Sequence, residues 1–464
     1  MGERSSFDGT PEELRDLGEA ALELVLGFID ERAEALASDL EGAFELAATF
    51  DEAPPEEPRA QREVLARVMQ GAAKAYDTAG PGYLAYIPGG GLFASAVADL
   101  IADVTNRFVN MAAPAPPFAA MEAAVLRWLC REFDLPDSAL GVMTSGGSLA
   151  NFSAVVTARH ALLPEDFLDG VIYASEHVHH SVQKAARLAG FPGRAVRLVP
   201  TDRQLRMDPD ALDEMIRNDR DHGLTPFMVI ASAGTTNTGT IDPLPSLSEI
   251  VVEHGLWLHV DAAYGGFFQL TERGRTRFDG ISRADSITLD PHKGMFLPYG
   301  LGCLLVRDVA KLRAAHRVGA DYLKDLGPEG DVPNFADLSP DLSRDFRGLR
   351  VWLPLQLHGV AAWRTALDEK LDLAELAYAS LARTPGLYVP WRPDLSIVAF
   401  APTEDGDRAA GELLDRVNES GRIFISSTAI DGRTYLRFCI LSHRTSKARI
   451  DEAIEIVQNA AADL

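Results

Sequence analysis

The stretch SITLDPHKGMF, residues 286–296, runs an apolar strand-like segment straight into Asp290, Pro291, His292 and Lys293. A lysine just past a strand ordinarily sits in a solvated loop. This chain, however, has only seven lysines among its 44 basic residues (Lys74, Lys184, Lys293, Lys311, Lys324, Lys370 and Lys447). Its basic surface is built with arginine, so Lys293 calls for a more specific reason.

From about residue 140 to 310, short apolar runs alternate with helical stretches. The runs are VIYAS, AVRLVP, FMVIASA, WLHVDAA, SITLD and GCLLVR, and helices such as NFSAVVTARHALL and DALDEMIRN lie between them. That alternation predicts an α/β unit with a mostly parallel sheet covered by helices. Ligands of such sheets gather at the carboxyl ends of the strands, so polar residues placed there are read together.

Three further strand ends join Lys293. In GVMTSGGSLANFSAVVTAR, Ser145, Gly146, Gly147 and Ser148 lead into a helix whose N-terminus favours an anion, although Ser148 would serve equally as an ordinary cap. Asn151 follows in the same helix and serves either the site or the loop. In ASAGTTNTGTIDPL, Gly234, Thr235 and Thr236 end a strand with two hydroxyls that either reach a phosphate or satisfy the turn. In WLHVDAAYGGF, Asp261 closes a strongly apolar strand, where a carboxylate is costly unless a cation or donors meet it. An amine, a carboxylate and phosphate-friendly loops at one rim match the needs of pyridoxal phosphate (PLP): an amine for its aldehyde, an acid for its ring nitrogen and donors for its phosphate.

EHVHHSVQKAARLAG, residues 176–190, adds His177, His179 and His180. No HExxH motif or cysteine cluster accompanies them, so a stacking or proton-handling histidine is better supported than a metal site.

Composition bounds the remaining possibilities. With 464 residues and 47% hydrophobic content the chain can fill a large core, and a net charge of −24 removes the electrostatic footprint of a nucleic-acid or membrane-surface binder. Cys130, Cys303 and Cys439 are odd in number and widely separated, which predicts a reducing, cytoplasmic setting without disulfides or structural zinc. The first residues lack the apolar core of a signal peptide, and no apolar run approaches the ~20 residues a membrane helix needs. Residues 11–50 show helical periodicity, followed by the connector DEAPPEEP. The last ninety or so residues, with strand candidates GLYVP, SIVAFAP, RIFISST and TYLRFCI, predict a smaller α+β domain.

Taken in order, SGGS, HHSVQKAA, AGTTNTG, HVDAAYGG and DPHKG resemble the group II pyridoxal-phosphate decarboxylases, the family of aromatic L-amino-acid, histidine and glutamate decarboxylases. The resemblance runs from YLAYIPG near residue 83 to TYLRFCILSHRT near residue 445. It implies the fold-type I PLP-dependent transferase architecture with a seven-stranded, mostly parallel sheet. The segments it implies are an N-terminal helical one (1–90) packing on a partner subunit, a large PLP-binding α/β domain (91–370) and a C-terminal α+β domain (371–464). It also implies a homodimer with the active site at the subunit interface.

Carried over by position, Lys293 is similar to the lysine that condenses with the cofactor, and His292 to a phosphate neighbour. Asp261 is similar to the aspartate at the ring nitrogen, Ala263 to the residue beneath the ring, and His179 to the histidine stacked on its other face. Gly147, Ser148 and Thr236 resemble the phosphate contacts. Tyr322 resembles the tyrosine that protonates the α-carbon. Arg437 resembles the arginine that meets the substrate carboxylate, although within its strand it could equally be a structural ion pair.

Two positions depart from the family. Tyr86, Ile87, Pro88 and Gly89 stand where aromatic-specific members tend to carry an aromatic residue and a threonine, which alters the side-chain pocket. Asp290 replaces an asparagine, and its charge argues against direct contact with a phosphate. The expected activity is decarboxylation of an L-amino acid to an amine and CO2. Tyr86 and the family lean toward an aromatic substrate, with acidic and small aliphatic ones open. The alternatives are an aldehyde synthase or an aminotransferase on the same fold and, from a different class, a scaffold without catalysis.

Overall fold

A computed structural model describes residues 7–317, 332–403 and 406–464. The large sheet has seven strands: β1 (Leu140–Thr144), β2 (Gly170–Ser175), β3 (Val196–Val199), β4 (Thr225–Ser232), β5 (Trp257–Asp261), β6 (Ser286–Leu289) and β7 (Gly302–Val306). Their order is β1-β7-β6-β5-β4-β2-β3, and only β7 runs antiparallel to its neighbours. The central strands are buried along their length, as parallel strands covered on both faces must be, and this explains their unbroken apolar runs. β1 carries a weaker apolar signal than the other strands of this sheet, because Gly141 and Thr144 dilute it.

Helices cover both faces, and their ends follow local chemistry. The Asp208 side chain accepts from the backbone N–H groups of Asp210 and Ala211 and Pro209 occupies the first turn, which starts the helix Pro209–Asp221. Ser446 caps the last helix, Lys447–Ala462, in the same way.

A second sheet, β8 (Leu387–Tyr388), β9 (Ile397–Pro402), β10 (Ser426–Ile430) and β11 (Arg433–Cys439), is antiparallel in the order β10-β11-β9-β8. The first half of RIFISST is not part of β10, because another segment takes its backbone groups. Phe424 N–H donates to the Gly82 carbonyl and accepts at its own carbonyl from Leu84 N–H, both at 2.9 Å. The helix Val360–Leu381 runs through the expected boundary at 370/371. Its Trp363, Leu367 and Leu371 pack in the large core, while Leu373, Ala374, Ala377 and Leu381 pack in the small one.

At the N-terminal end the helical signal resolves into Pro11–Asp30 and Ala43–Ala48, and a further helix, Gln61–Ala73, follows the proline-bearing connector. Among the described residues no helix is long and apolar enough to cross a membrane, and the three cysteines are free and buried.

Candidate active site

The carboxyl ends of β1, β4, β5 and β6 and the loop after β2 surround one cavity of about 260 Å³. Lys293, Asp261, His179, Ala263, His292, Gly147, Ser148 and Thr236 all line it, as do Asn151 and Asp290. Parallel winding produces this convergence, since it sends each strand's last residue to the same rim.

Lys293 lies in the short turn Pro291–Gly294 after β6, and its Nζ is 2.9 Å from Asp290 Oδ2. Burial works against the ammonium, but the carboxylates of Asp290 and Asp261 outweigh it, and the Lys293 pKa is raised. The other Asp290 oxygen, Oδ1, is buried without a partner among the described residues. His292 donates from Nδ1 to the Leu301 carbonyl at 2.6 Å, and its Nε2 lies 3.8 Å from Asp290. Burial lowers its pKa.

Asp261 closes β5, buried, and accepts from Asn151 Nδ2 at 2.8 Å and from the Ala263 N–H at 3.1 Å. His179 is held through Nδ1, which lies 2.7 Å from Ser181 Oγ and 3.3 Å from the Ser181 N–H. Burial is the main cause that lowers its pKa, with His180 and Lys293 adding to the effect against Asp261. The His180 ring leans against His179 with centroids 4.1 Å apart and planes tilted by 46°, and His180 is itself exposed.

The helix Gly147–Leu162 starts from Gly146, whose φ of 152° suits glycine, and no side chain caps it. Ser148 therefore lies inside the first turn, exposed at the cavity, and does not cap the helix. A Cβ on Gly147 would stand 3.0 Å from Asp290 Oδ2 and 3.1 Å from Ala263 Cβ, filling the space beside the helix N-terminus. The two threonines divide their work. Both line the cavity, but Thr235 Oγ1 is tied into its own turn by Thr238 and the Thr240 N–H, while Thr236 gives its carbonyl to Arg437.

Arg437 and Tyr86 are not among the residues lining this cavity. Arg437 is buried, donating from Nη1 to the Thr236 carbonyl at 2.6 Å and from Nη2 to Ser426 Oγ at 2.9 Å. Tyr86 is 54% exposed, with φ 51°, and its N–H donates to the same Ser426 Oγ. Arg437 thus ties the Tyr86 loop to the Thr236 loop. Tyr322 lies outside the described residues.

His259, buried between Asn151 and Ser286, does not line the cavity but supports it through Asn151, and no motif assigns it this place. The available signal was alternation: His259 and Asp261 on β5, and Ser286 and Thr288 on β6, are polar residues two apart in apolar strands, hence on one face.

A lysine amine, a carboxylate, an apolar floor at Ala263 and a glycine-opened helix N-terminus form a donor set that fits PLP, and they define the cavity of a PLP enzyme. Residues 45–402 match the family described as pyridoxal-dependent decarboxylase conserved domain. The chain is 33% identical over 461 residues to the aromatic-L-amino-acid decarboxylase of Bacillus atrophaeus, covering 97% of this chain and 95% of that one. It is 28% identical to the phenylacetaldehyde synthase of Arabidopsis thaliana, over 83% of this chain and 82% of the relative. The structure of Oryza sativa TDC with PLP and tryptamine superposes with a TM-score of 0.92 at 25% identity, covering 98% and 99% of the two chains. The chain belongs to the pyridoxal-dependent decarboxylase family, and its activity is PLP-dependent decarboxylation of an amino acid.

Proposed function

We propose that the substrate is an aromatic L-amino acid, released as its amine and CO2, and that the residues gathered at the strand ends divide the work. Convergence of Lys293, Asp261 and His179 on one cavity beside the Gly147 helix start is the observation that carries this reading. The aromatic preference is supported by the Bacillus relative's name and by the tryptamine in the Oryza structure.

Lys293 is the covalent anchor of the cofactor. Beside Asp290 its amine is held in the charged form, so it becomes a nucleophile only after giving up a proton. Asp261 would hold a proton at the cofactor's ring nitrogen, Ala263 and His179 would border the ring, and Gly147, Ser148, Thr236 and His292 would hold the phosphate. Bound in this way, the cofactor supplies the sink for the electron pair released as CO2 leaves. Tyr322 delivers the proton that the α-carbon then needs, which as a positioned acid contributes on the order of 10²–10⁴-fold. Tyr86 borders the substrate side chain, and Arg437 acts on the substrate carboxylate or through the Thr236 loop.

We further propose a cytoplasmic homodimer with the site at its interface. Three buried unpaired cysteines support the compartment. The apolar residues left exposed on the helix Phe93–Thr105 and on the N-terminal helices support the assembly.

The phenylacetaldehyde synthase match favours a second reading, in which the amino acid, O2 and water give an aldehyde, CO2, ammonia and hydrogen peroxide. The test is CO2 release against the twenty amino acids on PLP-loaded protein, with amine, aldehyde and peroxide followed together. Amine from tryptophan, tyrosine or phenylalanine without peroxide is expected. Peroxide in proportion to CO2 establishes the synthase, and release only from acidic or small aliphatic amino acids overturns the aromatic assignment.

A further inference from the structure

Beneath the cavity floor a line of buried polar groups crosses from β6 to the loop after β2. Trp257 Nε1 is 2.8 Å from Ser286 Oγ, which is 2.8 Å from His259 Nδ1. His259 Nε2 is 3.0 Å from Asn151 Oδ1, on which Thr288 Oγ1 also converges at 2.8 Å. Asn151 Nδ2 is 2.8 Å from Asp261 Oδ2 and 3.0 Å from Ser181 Oγ, and Ser181 Oγ is 2.7 Å from His179 Nδ1. All of these residues except His179 are buried.

The direction of every bond follows from the ends. An indole N–H can only donate, so Ser286 accepts from Trp257; its buried hydroxyl hydrogen is then satisfied by donating to its other described partner, His259 Nδ1. His259 therefore carries its single proton on Nε2 and donates it to Asn151 Oδ1. The opposite end gives the same answer independently, because the Asp261 carboxylate can only accept and so must face the Asn151 NH2 group. The second Asn151 hydrogen goes to Ser181 Oγ, and because His179 Nδ1 is the other described partner of this buried hydroxyl, the hydroxyl hydrogen is satisfied by donating there. The Ser181 backbone N–H points at the same nitrogen.

We infer that Asn151 is the positioning residue of the site: it ties Asp261 to His179 and fixes His179 as a neutral ring with its proton on Nε2. A proton on His179 Nδ1 would face the Ser181 backbone N–H donor to donor and would leave the buried Ser181 hydroxyl hydrogen without an acceptor among its described partners. The network thus opposes imidazolium at position 179, in the same direction as the lowered His179 pKa and as the His259 pKa, pushed down by burial to about 4. His179 offers the cavity a donor at Nε2 and cannot act there as the base that takes a proton from the substrate. This inference rests on the reading of Asp261 and His179 as ring neighbours.

The test is long-range ¹H–¹⁵N correlation on protein labelled with ¹⁵N-histidine, first without cofactor, followed by cofactor titration of the same samples. His179 is expected as the neutral Nε2–H tautomer at pH 7, remaining neutral below the ordinary histidine value of about 6.5. In Ser181→Ala, His179 should lose its single tautomer and titrate closer to an ordinary histidine. Asn151→Ala should do the same and weaken PLP binding about 10- to 100-fold, the loss expected for a hydrogen bond to a charged group. An Nδ1–H or charged His179 in the unaltered protein overturns the inference, and so does an unchanged His179 signal in Ser181→Ala, which stands as the test if Asn151→Ala does not fold. If both variants move the His179 signal while Asn151→Ala binds PLP as before, the network stands and the placing of Asp261 at the ring nitrogen fails.

Discussion

At the carboxyl rim of the large sheet, Asp261, Asn151, Ser181, His259, Thr288 and Ser286 are buried and hydrogen-bonded to one another, whereas the helices Pro11–Asp30, Ala43–Ala48 and Gln61–Ala73 bury none of their residues. The helix Pro11–Asp30 nevertheless has a complete start: Thr10 and Glu13 cap each other's backbone, and Pro11 occupies the first position. Local signals are enough to define it. They do not hide its apolar stripe, and most helical stability comes from packing such a stripe away. Phe44, 84% exposed, and Val104, 78% exposed on the helix Phe93–Thr105, repeat the pattern. The polar network of the rim closes among residues of one chain, while the N-terminal end leaves exposed the apolar surface that the proposed dimer would cover.

The largest expected effect separates chemistry from assembly. Lys293→Ala should reduce decarboxylation by several orders of magnitude, as removal of a covalent residue does. Its sedimentation coefficient should remain that of the unaltered protein, because Lys293 belongs to the rim. Dissociation of this variant would break the contrast between the two regions.

The next effect runs the other way. Leu100, 64% exposed, and Val104 lie one helical turn apart, so a joint Leu100→Asp/Val104→Asp change places two charges on the face assigned to the partner. The dimer dissociation constant should rise by at least about 100-fold, the scale of two interface anchors lost together. Sedimentation velocity at micromolar protein should then show half the mass, with the spectrum of the folded chain retained. An unchanged mass would assign this surface to something other than self-association.

How much of this was readable beforehand depends on how far each signal reaches along the chain. Lys293, Asp261, Gly147 and Thr236 each follow an apolar strand within a few residues, so each announces itself locally, and parallel winding brings them together. The links between strands do not announce themselves. His259 meets Asn151 across 108 positions, and Arg437 meets Thr236 across 201, and both distances depend on sheet register and domain docking. Arg437 could therefore be assigned a role only by resemblance, while its two structural bonds stayed hidden. The helix Gln61–Ala73 escaped notice for a local reason: it has no side-chain cap and follows a run of prolines and acids. β1 is five residues long and contains a glycine.

Acid should produce the smallest effect and locate it. His259 is neutral in the folded chain with a pKa of about 4, while an unfolded chain holds it near its ordinary value of about 6.5. Between those values the unfolded state binds more protons, so stability is full above pH 6.5 and falls as the pH drops toward 4. The 2.5-unit gap corresponds to on the order of 3 kcal/mol at most. His443, half-buried and with its pKa lowered by desolvation to about 3, adds to the loss over the same range. Urea midpoints at pH 7.5 and 5.0 should therefore differ, and His259→Asn, which cannot charge, should lower the midpoint at both pH values yet narrow the difference. Because His259 sits beneath the rim, the same narrowing should appear when the substitution is made in the Leu100→Asp/Val104→Asp protein. If the acid sensitivity instead disappears once the chains separate, the titrating groups lie at the interface, and the rim owes its stability to the partner subunit as much as the N-terminal helices do.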